Sequence, residues 1–368
     1  MSHKIRILRP MKSRSITLLG AILLSACGGG GGGGASAPAL PSATVSLTSS
    51  GSSVQTNSTV TLTWTSTLAT SCSAGGSWAG SKGTSGSEEV IIAVAGSNSF
   101  SLTCSGTGIN SGTGSASVEG FRLFNGKVID GYIRGSTVFI DENNDFLENT
   151  NEQSTTSDNT GSFELRYKNG NLLSLGGFDL DSGNMVDGLM LSHPLSGYSE
   201  TKVITPITSL LLGMTDTASL KVALGIDDSI DIGITDPVAT KGDGSIYEYL
   251  YEKGNQLTVL ALALQNITNS IKTSTDTSED YFKSIAQELE SEYTSTKLKV
   301  NIEAETFIGK VIANVLAAKT LVLTDANKAN VSMALTAFIP VLEVKSTDAL
   351  TQGTLNFATS TLLTDIVS

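Results

Sequence analysis

Residues 201–212, which read TKVITPITSLLL, mark the point where the sequence changes from one structural pattern to another. Upstream, apolar and polar residues alternate as in half-buried strands, whereas downstream the apolar residues recur every three or four positions, as in amphipathic helices. Thr205 and Pro206 are the residue types preferred at a helix N-cap and at the first helical position. The sequence therefore predicts a multi-domain protein, with an N-terminal all-β part and an all-α C-terminal domain at residues 201–368.

The predicted helical domain carries four stripes of apolar residues at helical spacing. No stretch of it without polar residues reaches the roughly 20 residues that span a bilayer, and we interpret the stripes as core rather than as a groove for a partner. The stripes comprise Leu257, Leu260, Leu264, Ile267 and Ile271; Phe282, Ile285, Leu289 and Tyr293; Phe307, Val311, Val315 and Leu316; and Val331, Leu335 and Phe338. A final Thr-rich helix is predicted from about residue 346. The run at 203–211 resembles a helical segment that trails β modules in bacterial surface proteins and has no assigned activity.

Residues 44–119 have the pattern of a small all-β domain. The run VTLTWT at 60–65 alternates strictly, and further apolar runs at 90–94 and 99–104 are separated by Gly- and Ser-rich turns. Short strands with regular turns predict a β sandwich. Together with its tryptophans and cysteines, this segment resembles an Ig-like module that is repeated in bacterial surface proteins.

The cysteines and tryptophans of this segment allow two interpretations each. Cys72 and Cys104 are an even pair in a chain that we expect to be exported, which predicts one disulfide, the alternative being two buried thiols. Trp64 and Trp78 are either a pair that stacks on carbohydrate or, as we favour, a core residue and a packed loop residue.

Residues 120–175 are predicted to form a second, smaller β module with a calcium-type loop. Within residues 141–152, oxygen-bearing residues fall at positions 1, 3, 5, 7, 9 and 12, which is the spacing of an EF-hand loop. Ca²⁺ takes six to eight hard oxygen ligands, and alternate loop residues can direct them to one point. The predicted ligands are Asp141, Asn143, Asp145, the Leu147 carbonyl, Asn149 and Glu152.

One residue of this loop departs from the calcium-binding pattern. Position 6, usually glycine, is Phe146, which predicts weak binding and leaves a polar hairpin that binds nothing as the alternative. Downstream, residues 155–163 read TTSDNTGSF. The order of strand, loop and this turn resembles the calcium-bearing or prealbumin-like β modules of large bacterial adhesins and exoenzymes, so the resemblance implies calcium as the cofactor.

Residues 176–200 have the composition of a turn-rich connector. Asp179, Asp181 and Asp187 lie within it and form a second candidate metal site. No glutamate follows them to close a coordination loop, so we interpret the stretch as a connector.

Residues 1–26 have the organisation of a bacterial export leader. Five basic and no acidic residues are followed by an apolar stretch of about eleven residues, which is too short to span a bilayer. Residues 24–27, LSAC, resemble the lipobox of bacterial lipoproteins, which implies cleavage before Cys27 and attachment of acyl chains, palmitate among them, to this cysteine. The alternative is an ordinary signal peptide in which Cys27 is incidental.

A glycine-rich tether is predicted at residues 27–43. Seven consecutive glycines begin at Gly28, and such a run behaves as a flexible linker. In lipoproteins an aspartate after the acylated cysteine retains the protein at the inner membrane. Because Gly28 stands there, the resemblance implies an outer-membrane or cell-surface location.

The net charge and the absence of several catalytic motifs argue against some classes of function. Removal of the leader shifts the formal net charge from −12 to −17, since five of the 23 basic residues lie in it, and so acidic a surface does not favour nucleic acid as a partner. His193 is the only histidine outside the leader, and no nucleophile elbow, zinc-type cluster or phosphate loop accompanies it. We therefore expect no enzyme, although a hydrolase that uses paired carboxylates stays open.

These features favour a lipid-anchored protein outside the cytoplasm that serves as a binding or adhesion module or as a structural spacer. Its expected partners are a membrane, through the lipid anchor, and a glycan or protein ligand outside the cell. A subunit of an envelope assembly or export system is the alternative, and a hydrolase of extracellular polymers comes after it.

Overall fold

The computed structural model describes residues 39–239, 245–271 and 278–338. The leader, Cys27, most of the tether and the predicted last helix lie outside the described residues. Within them, strands occupy residues 44–204 and helices occupy residues 206–338, which confirms the predicted order of an all-β part followed by an all-α part. No helix of the described ranges has both the length and the apolar composition needed to cross a membrane.

Eight strands form two sheets in the first part of the chain. One sheet has the order β1-β3-β6, and the other has the order β2-β8-β7-β4-β5. The strands are β1 (Thr44–Ser49), β2 (Ser53–Gln55), β3 (Thr59–Thr67), β4 (Ser71–Gly76), β5 (Gly80–Lys82), β6 (Ser85–Ile91), β7 (Gly96–Ser105) and β8 (Gly112–Phe121).

Strand β3 shows why these residues form a two-layered structure. Val60, Leu62 and Trp64 alternate along it and are all buried, while polar residues between them face outward. Burial of one such side chain stabilises the fold by about 1.5–3 kcal/mol. A register shift of one residue would expose all three, so the alternation fixes the pairing of β3 with β1, in which Leu47 lies opposite Trp64.

Ten further strands follow in the second part of the chain and form three sheets. Their orders are β13-β9-β18, β12-β11-β14-β17 and β10-β15-β16. The strands are β9 (Leu123–Val128), β10 (Ile133–Arg134), β11 (Thr137–Asp141), β12 (Ser154–Thr156), β13 (Ser162–Arg166), β14 (Gly170–Leu175), β15 (Phe178–Asp179), β16 (Asn184–Met185), β17 (Met190–Leu195) and β18 (Thr201–Ile204).

The stretch that the sequence predicted as a connector, residues 176–200, contains three of these strands. The longest, β17, pairs with β14 from Gly170↔Leu195 to Leu175↔Met190. Met190, Leu191 and Leu195 are buried there. The acidic, glycine-containing turns before β17 concealed it, because such residues also predict irregular structure.

Six helices and one 3-10 turn complete the described chain. The N-cap predicted at Thr205 is present as a capping box: its side chain accepts from the Thr208 backbone N–H, and the Thr208 side chain accepts from the Thr205 backbone N–H. Asp216 caps the second helix, since its side chain accepts from the Ser219 backbone N–H. The helices are α1 (Pro206–Ser209), followed by the 3-10 turn Leu210–Leu212, α2 (Thr217–Leu224), α3 (Ile246–Ile271), α4 (Ser278–Thr296), α5 (Glu305–Ala318) and α6 (Asp325–Phe338).

One hydrophobic core joins the second group of strands to the helices. It is continuous from Phe124 on β9 through Leu191 on β17 to Leu260 on α3, Phe282 on α4 and Leu335 on α6. A separate core fills the first module. Residues 120–175 therefore share their core with the helical domain, and the two regions stabilise each other.

Candidate functional site

The first module contains the predicted disulfide. Cys72 on β4 and Cys104 on β7 are bonded, and they face each other directly across two neighbouring strands with their Cα atoms 4.0 Å apart. Both cysteines are buried. The bond therefore links adjacent strands of one sheet and does not bridge the two sheets.

The two tryptophans belong to the interior of the same module. Trp64 and Trp78 are each 5% exposed and pack edge to face with ring centroids 5.2 Å apart. The Trp64 indole N–H donates to the Gly83 carbonyl, and the Lys82 ammonium lies 4.8 Å from the Trp78 ring centroid. Neither ring has a free face for a sugar, which supports the core interpretation.

Asp141 organises the calcium-type loop from its first position. It ends strand β11 and is fully buried. One carboxylate oxygen accepts from the backbone N–H groups of Asn143, Asn144 and Asp145, and the other accepts from the Phe146 N–H at 3.1 Å. These four bonds wrap the loop around the carboxylate.

The remaining predicted ligands meet around Asp145. The Asn143 amide donates to the Asp145 carboxylate at 2.9 Å, and the Asn149 amide donates both to that carboxylate at 3.1 Å and to the Leu147 carbonyl at 3.1 Å. Hydrogen bonds from the Leu147 N–H, then from Asn149, lower the pKa of Asp145. Glu152 closes the loop, since its carboxylate accepts from the Asn149 N–H at 3.1 Å.

Phe146 occupies the position where calcium loops usually carry glycine, and it adopts the backbone conformation of that glycine. Its φ is 59°, in the left-handed region, and Asn144 has a φ of 61°. The Phe146 ring packs against a small apolar cluster formed by Phe139, Leu173 and Met190. This packing offsets the backbone strain and explains how the turn forms without glycine.

The donor set of this loop, three carboxylates and three uncharged oxygen donors, is of the kind that suits a hard cation. In the described part of the chain, no three His, Cys, Asp or Glu side chains are grouped closely enough to hold a metal by themselves. The loop adds the Leu147 carbonyl and the amides of Asn143 and Asn149. An amide that rotates by 180° presents its oxygen where its nitrogen now donates, so both amides can turn from Asp145 towards a cation.

A second acidic group lies between the strands and α3, and the sequence identified only part of it. Asp179 and Asp181 are joined there by Asp130, whereas Asp187 lies exposed and outside the group. Burial, then the charge of Asp179, raises the pKa of Asp130 well above its usual value. Asp130 accepts from Thr258 on α3 at 2.9 Å.

Asp181 accepts from a second residue of the same helix, the hydroxyl of Tyr251, at 2.9 Å. These polar contacts fasten the strands to α3. Asp130 was missed because it is more than 40 positions from Asp179 in sequence, and only the Asp130-Gly131 turn marked it.

An open groove of about 630 Å³ runs over the sheet β13-β9-β18. Most of the residues that line it are polar or charged, among them Asn125, Lys127, Asp158, Glu164, Lys202 and Asp236, and apolar side chains such as Phe163 and Ile234 complete its walls. One end is fixed by Asp236, whose carboxylate accepts from the Lys127 ammonium at 3.0 Å and from the Tyr132 hydroxyl at 2.9 Å. The groove thus offers hydroxyl, amide, carboxylate and ammonium groups to a ligand.

His193 is a buried structural residue on β17. Its Nδ1 lies 2.6 Å from the carbonyl oxygen of Val203, a geometry that requires the N–H on this nitrogen. Burial lowers the pKa of His193 to about 4. The imidazole is therefore neutral near pH 7 and links β17 to β18.

Comparisons with known proteins leave the family open. No protein-family model matches the chain, and no curated protein is significantly similar to it. Among solved structures it is similar to a chain from structural work on the host cell surface retention of a 1.5-MDa bacterial ice-binding adhesin, with 15% identity and a TM-score of 0.19. The match covers 40% of this chain and 62% of that one, and at this TM-score it carries no argument about function.

Proposed function

We propose that this chain is a lipoprotein anchored outside the cytoplasm through acylated Cys27, and that it acts as a binding or adhesion module. The observation that carries the proposal is the run LSAC at residues 24–27, placed after a basic and then an apolar segment. Two or more acyl chains on one residue hold a protein stably at a membrane. The seven glycines that follow let the folded part move away from the bilayer surface.

The disulfide supports an extracytoplasmic address. Cys72 and Cys104 form a buried bond directly within a sheet. Disulfides of this structural kind persist in oxidising compartments and are rare in the reducing cytosol. The bond and the leader therefore point to the same side of the membrane.

Calcium binding by residues 141–152 belongs to the same proposal. The loop has the left-handed turn at Phe146, the organising carboxylate of Asp141 and the closing carboxylate of Glu152. Because Phe146 stands where calcium loops usually carry glycine, the expected affinity is weak and of the extracellular type, about 10⁻⁴–10⁻³ M. Bound calcium would hold rigid the loop that connects β11 to β12 in the β12-β11-β14-β17 sheet.

The polar groove over β13-β9-β18 is the surface that we propose for the ligand, and a glycan is the ligand class that its groups fit best. Sugar hydroxyls both donate and accept hydrogen bonds, and the groove presents acceptors such as Asp158 and Glu164 beside donors such as Asn125 and Lys202. This binding mode does not require the glycan stacking for which Trp64 and Trp78 are too deeply buried.

The test is a glycan-array measurement with the full chain in which Cys27→Ser keeps the protein soluble. Binding that Asn125→Ala combined with Lys202→Ala reduces at least tenfold would support the groove. The matched control is Lys168→Ala, which removes an exposed lysine that pairs with Glu142 outside the groove. Absence of glycan binding, or binding that the groove substitutions leave unchanged, would contradict the proposed ligand site.

A further inference from the structure

Helix α4 begins directly against strand β17. The hydroxyl of Ser278, the first residue of α4, donates to the Met190 carbonyl at 2.9 Å and accepts from the Met190 N–H at 2.6 Å. Both residues are buried. These two reciprocal hydrogen bonds fix the start of α4 against strand β17.

The next residue, Glu279, places a carboxyl group inside the buried contact between α4 and β17, which we call the seam. Glu279 is 1% exposed, and within the described residues neither of its carboxyl oxygens has a hydrogen-bond partner of ordinary geometry. The buried Ser192 hydroxyl on β17 also lacks such a partner, although it lies close enough to lower the pKa of Glu279. A charged carboxylate in this position would lose its hydration without compensation.

The charged groups around Glu279 do not provide that compensation. Asp280 opposes its ionisation, and Lys283, one turn along α4, favours it only weakly. Lys319 pairs with Asp280 at 3.3 Å. Helix α1 contributes the hydroxyl of Ser209, which accepts from the Ser192 N–H.

On β17 itself the one titratable neighbour, His193, is directed to the Val203 carbonyl. Burial, the dominant effect at this position, raises the pKa of Glu279 to about 8. The group is therefore an acid that keeps its proton through neutral pH.

We propose that the proton on Glu279 latches α4 onto β17, and that a rise in pH from about 5 to 8 progressively releases the seam. Among the described residues, the carboxylate that forms would have only the Ser192 hydroxyl as a nearby donor in the closed arrangement, whereas water can solvate it fully once α4 moves away. The latch thus makes the contact between the strands and the helices sensitive to pH in a range that surroundings outside the cytoplasm can reach.

The direction of the effect follows from proton linkage. The closed form binds one more proton than the open form between the usual glutamate pKa of 4.5 and about 8. Its stability is complete below pH 4.5 and is lost as the pH rises through that interval. The equilibrium constant for opening therefore grows about tenfold per pH unit and levels off above pH 8.

Amide hydrogen exchange of the full chain tests the latch at the Met190 N–H, after correction for intrinsic exchange rates. Between pH 5 and 8 the wild type should show the tenfold rise per unit, and Glu279→Gln should abolish it. Glu305→Gln is the matched control, since Glu305 occupies the first turn of α5 and is exposed. A Glu279→Gln protein with the pH dependence of the wild type would overturn the proposal.

A second measurement needs no substitution and so does not depend on how the variant folds. In protein with ¹³C-labelled glutamate carboxyls, one resonance should titrate near pH 8. If every glutamate carboxyl titrates at its usual value, the latch does not exist.

Discussion

The backbone N–H of Phe146 donates to the Asp141 carboxylate at 3.1 Å, although Phe146 holds a φ of 59° that residues other than glycine rarely adopt. This bond completes the turn that brings the remaining loop oxygens together. The Phe146 ring compensates by packing against Phe139, Leu173 and Met190. The Phe146 ring therefore anchors the loop to the sheet beneath it, and glycine at this position could not make that contact.

This relationship predicts an order of stabilities at position 146. Phe146→Ala removes the packing and keeps a Cβ at positive φ, whereas Phe146→Gly removes both. Both variants should unfold more easily than the wild type, and the glycine variant should be the more stable of the two by about 1 kcal/mol. Denaturant unfolding measures the difference, and an alanine variant at least as stable as the glycine variant would contradict the assigned backbone strain.

Calcium should raise the melting temperature of the unit that contains the loop. At a concentration ten times Kd, binding stabilises by about 1.4 kcal/mol, which corresponds to a shift of a few degrees. Because residues 120–175 share a core with the helices, the experiment needs the full chain. Asp145→Asn and Glu152→Gln should remove the shift.

Glu148→Gln controls for the loss of one charge, since Glu148 is exposed in the same loop but is not among the predicted ligands. A shift that survives both ligand substitutions, or that Mg²⁺ reproduces, would mean that the loop is a polar turn and not a calcium site.

Removal of the disulfide should destabilise the first module, residues 44–119. It should leave unchanged the stability of the unit in which the later strands share a core with the helices. The bond closes a sequence separation of 32 residues, for which chain entropy predicts about 3–4 kcal/mol. Replacement of both Cys72 and Cys104 by alanine should therefore shift only one of two unfolding transitions, because the two cores are separate. Thiol titration should detect no free cysteine in the folded or denatured mature protein, apart from an unacylated Cys27, until reductant is added.

The buried imidazole of His193 should make stability fall in mild acid. Its folded-state pKa of about 4 lies below the usual 6.5, so the unfolded state takes up more protons as the pH falls from 6.5 to 4. The loss amounts to roughly 3 kcal/mol. Glu279 has the opposite slope between pH 4.5 and 8, so the two effects oppose each other up to pH 6.5.

The His193 contribution appears in the difference between the wild type and His193→Gln across pH 4–7. A difference in unfolding free energy that stays constant over this range would show that the imidazole titrates at its usual pKa.

The class of fold followed from patterns within short stretches of the chain. The alternation around Trp64 and the N-cap at Thr205 predicted strands and helices where they occur, because each depends on neighbouring residues only. The spacing in residues 141–152 likewise identified a loop whose residues do meet.

The features that the sequence did not predict depend on contacts between residues that are far apart in the chain. Strand β17 lies inside a stretch with turn-like composition, and its pairing with β14, 15 to 25 residues earlier in the chain, stabilises it. Beyond the Asp130-Gly131 turn, no local motif marks Asp130 or Glu279, and the packing of α3 and α4 against the strands buries them. The shared core of strands and helices was hidden for the same reason.

The central claim, attachment through Cys27, is tested most directly by metabolic labelling with palmitate followed by membrane fractionation. Wild-type protein should carry label and sediment with membranes, and Cys27→Ser should lose both properties while the Cys72–Cys104 disulfide still forms. Gly28→Ala serves as a control that leaves the acylated residue in place. Membrane retention of an unlabelled Cys27→Ser protein equal to that of the wild type would contradict the lipid anchor.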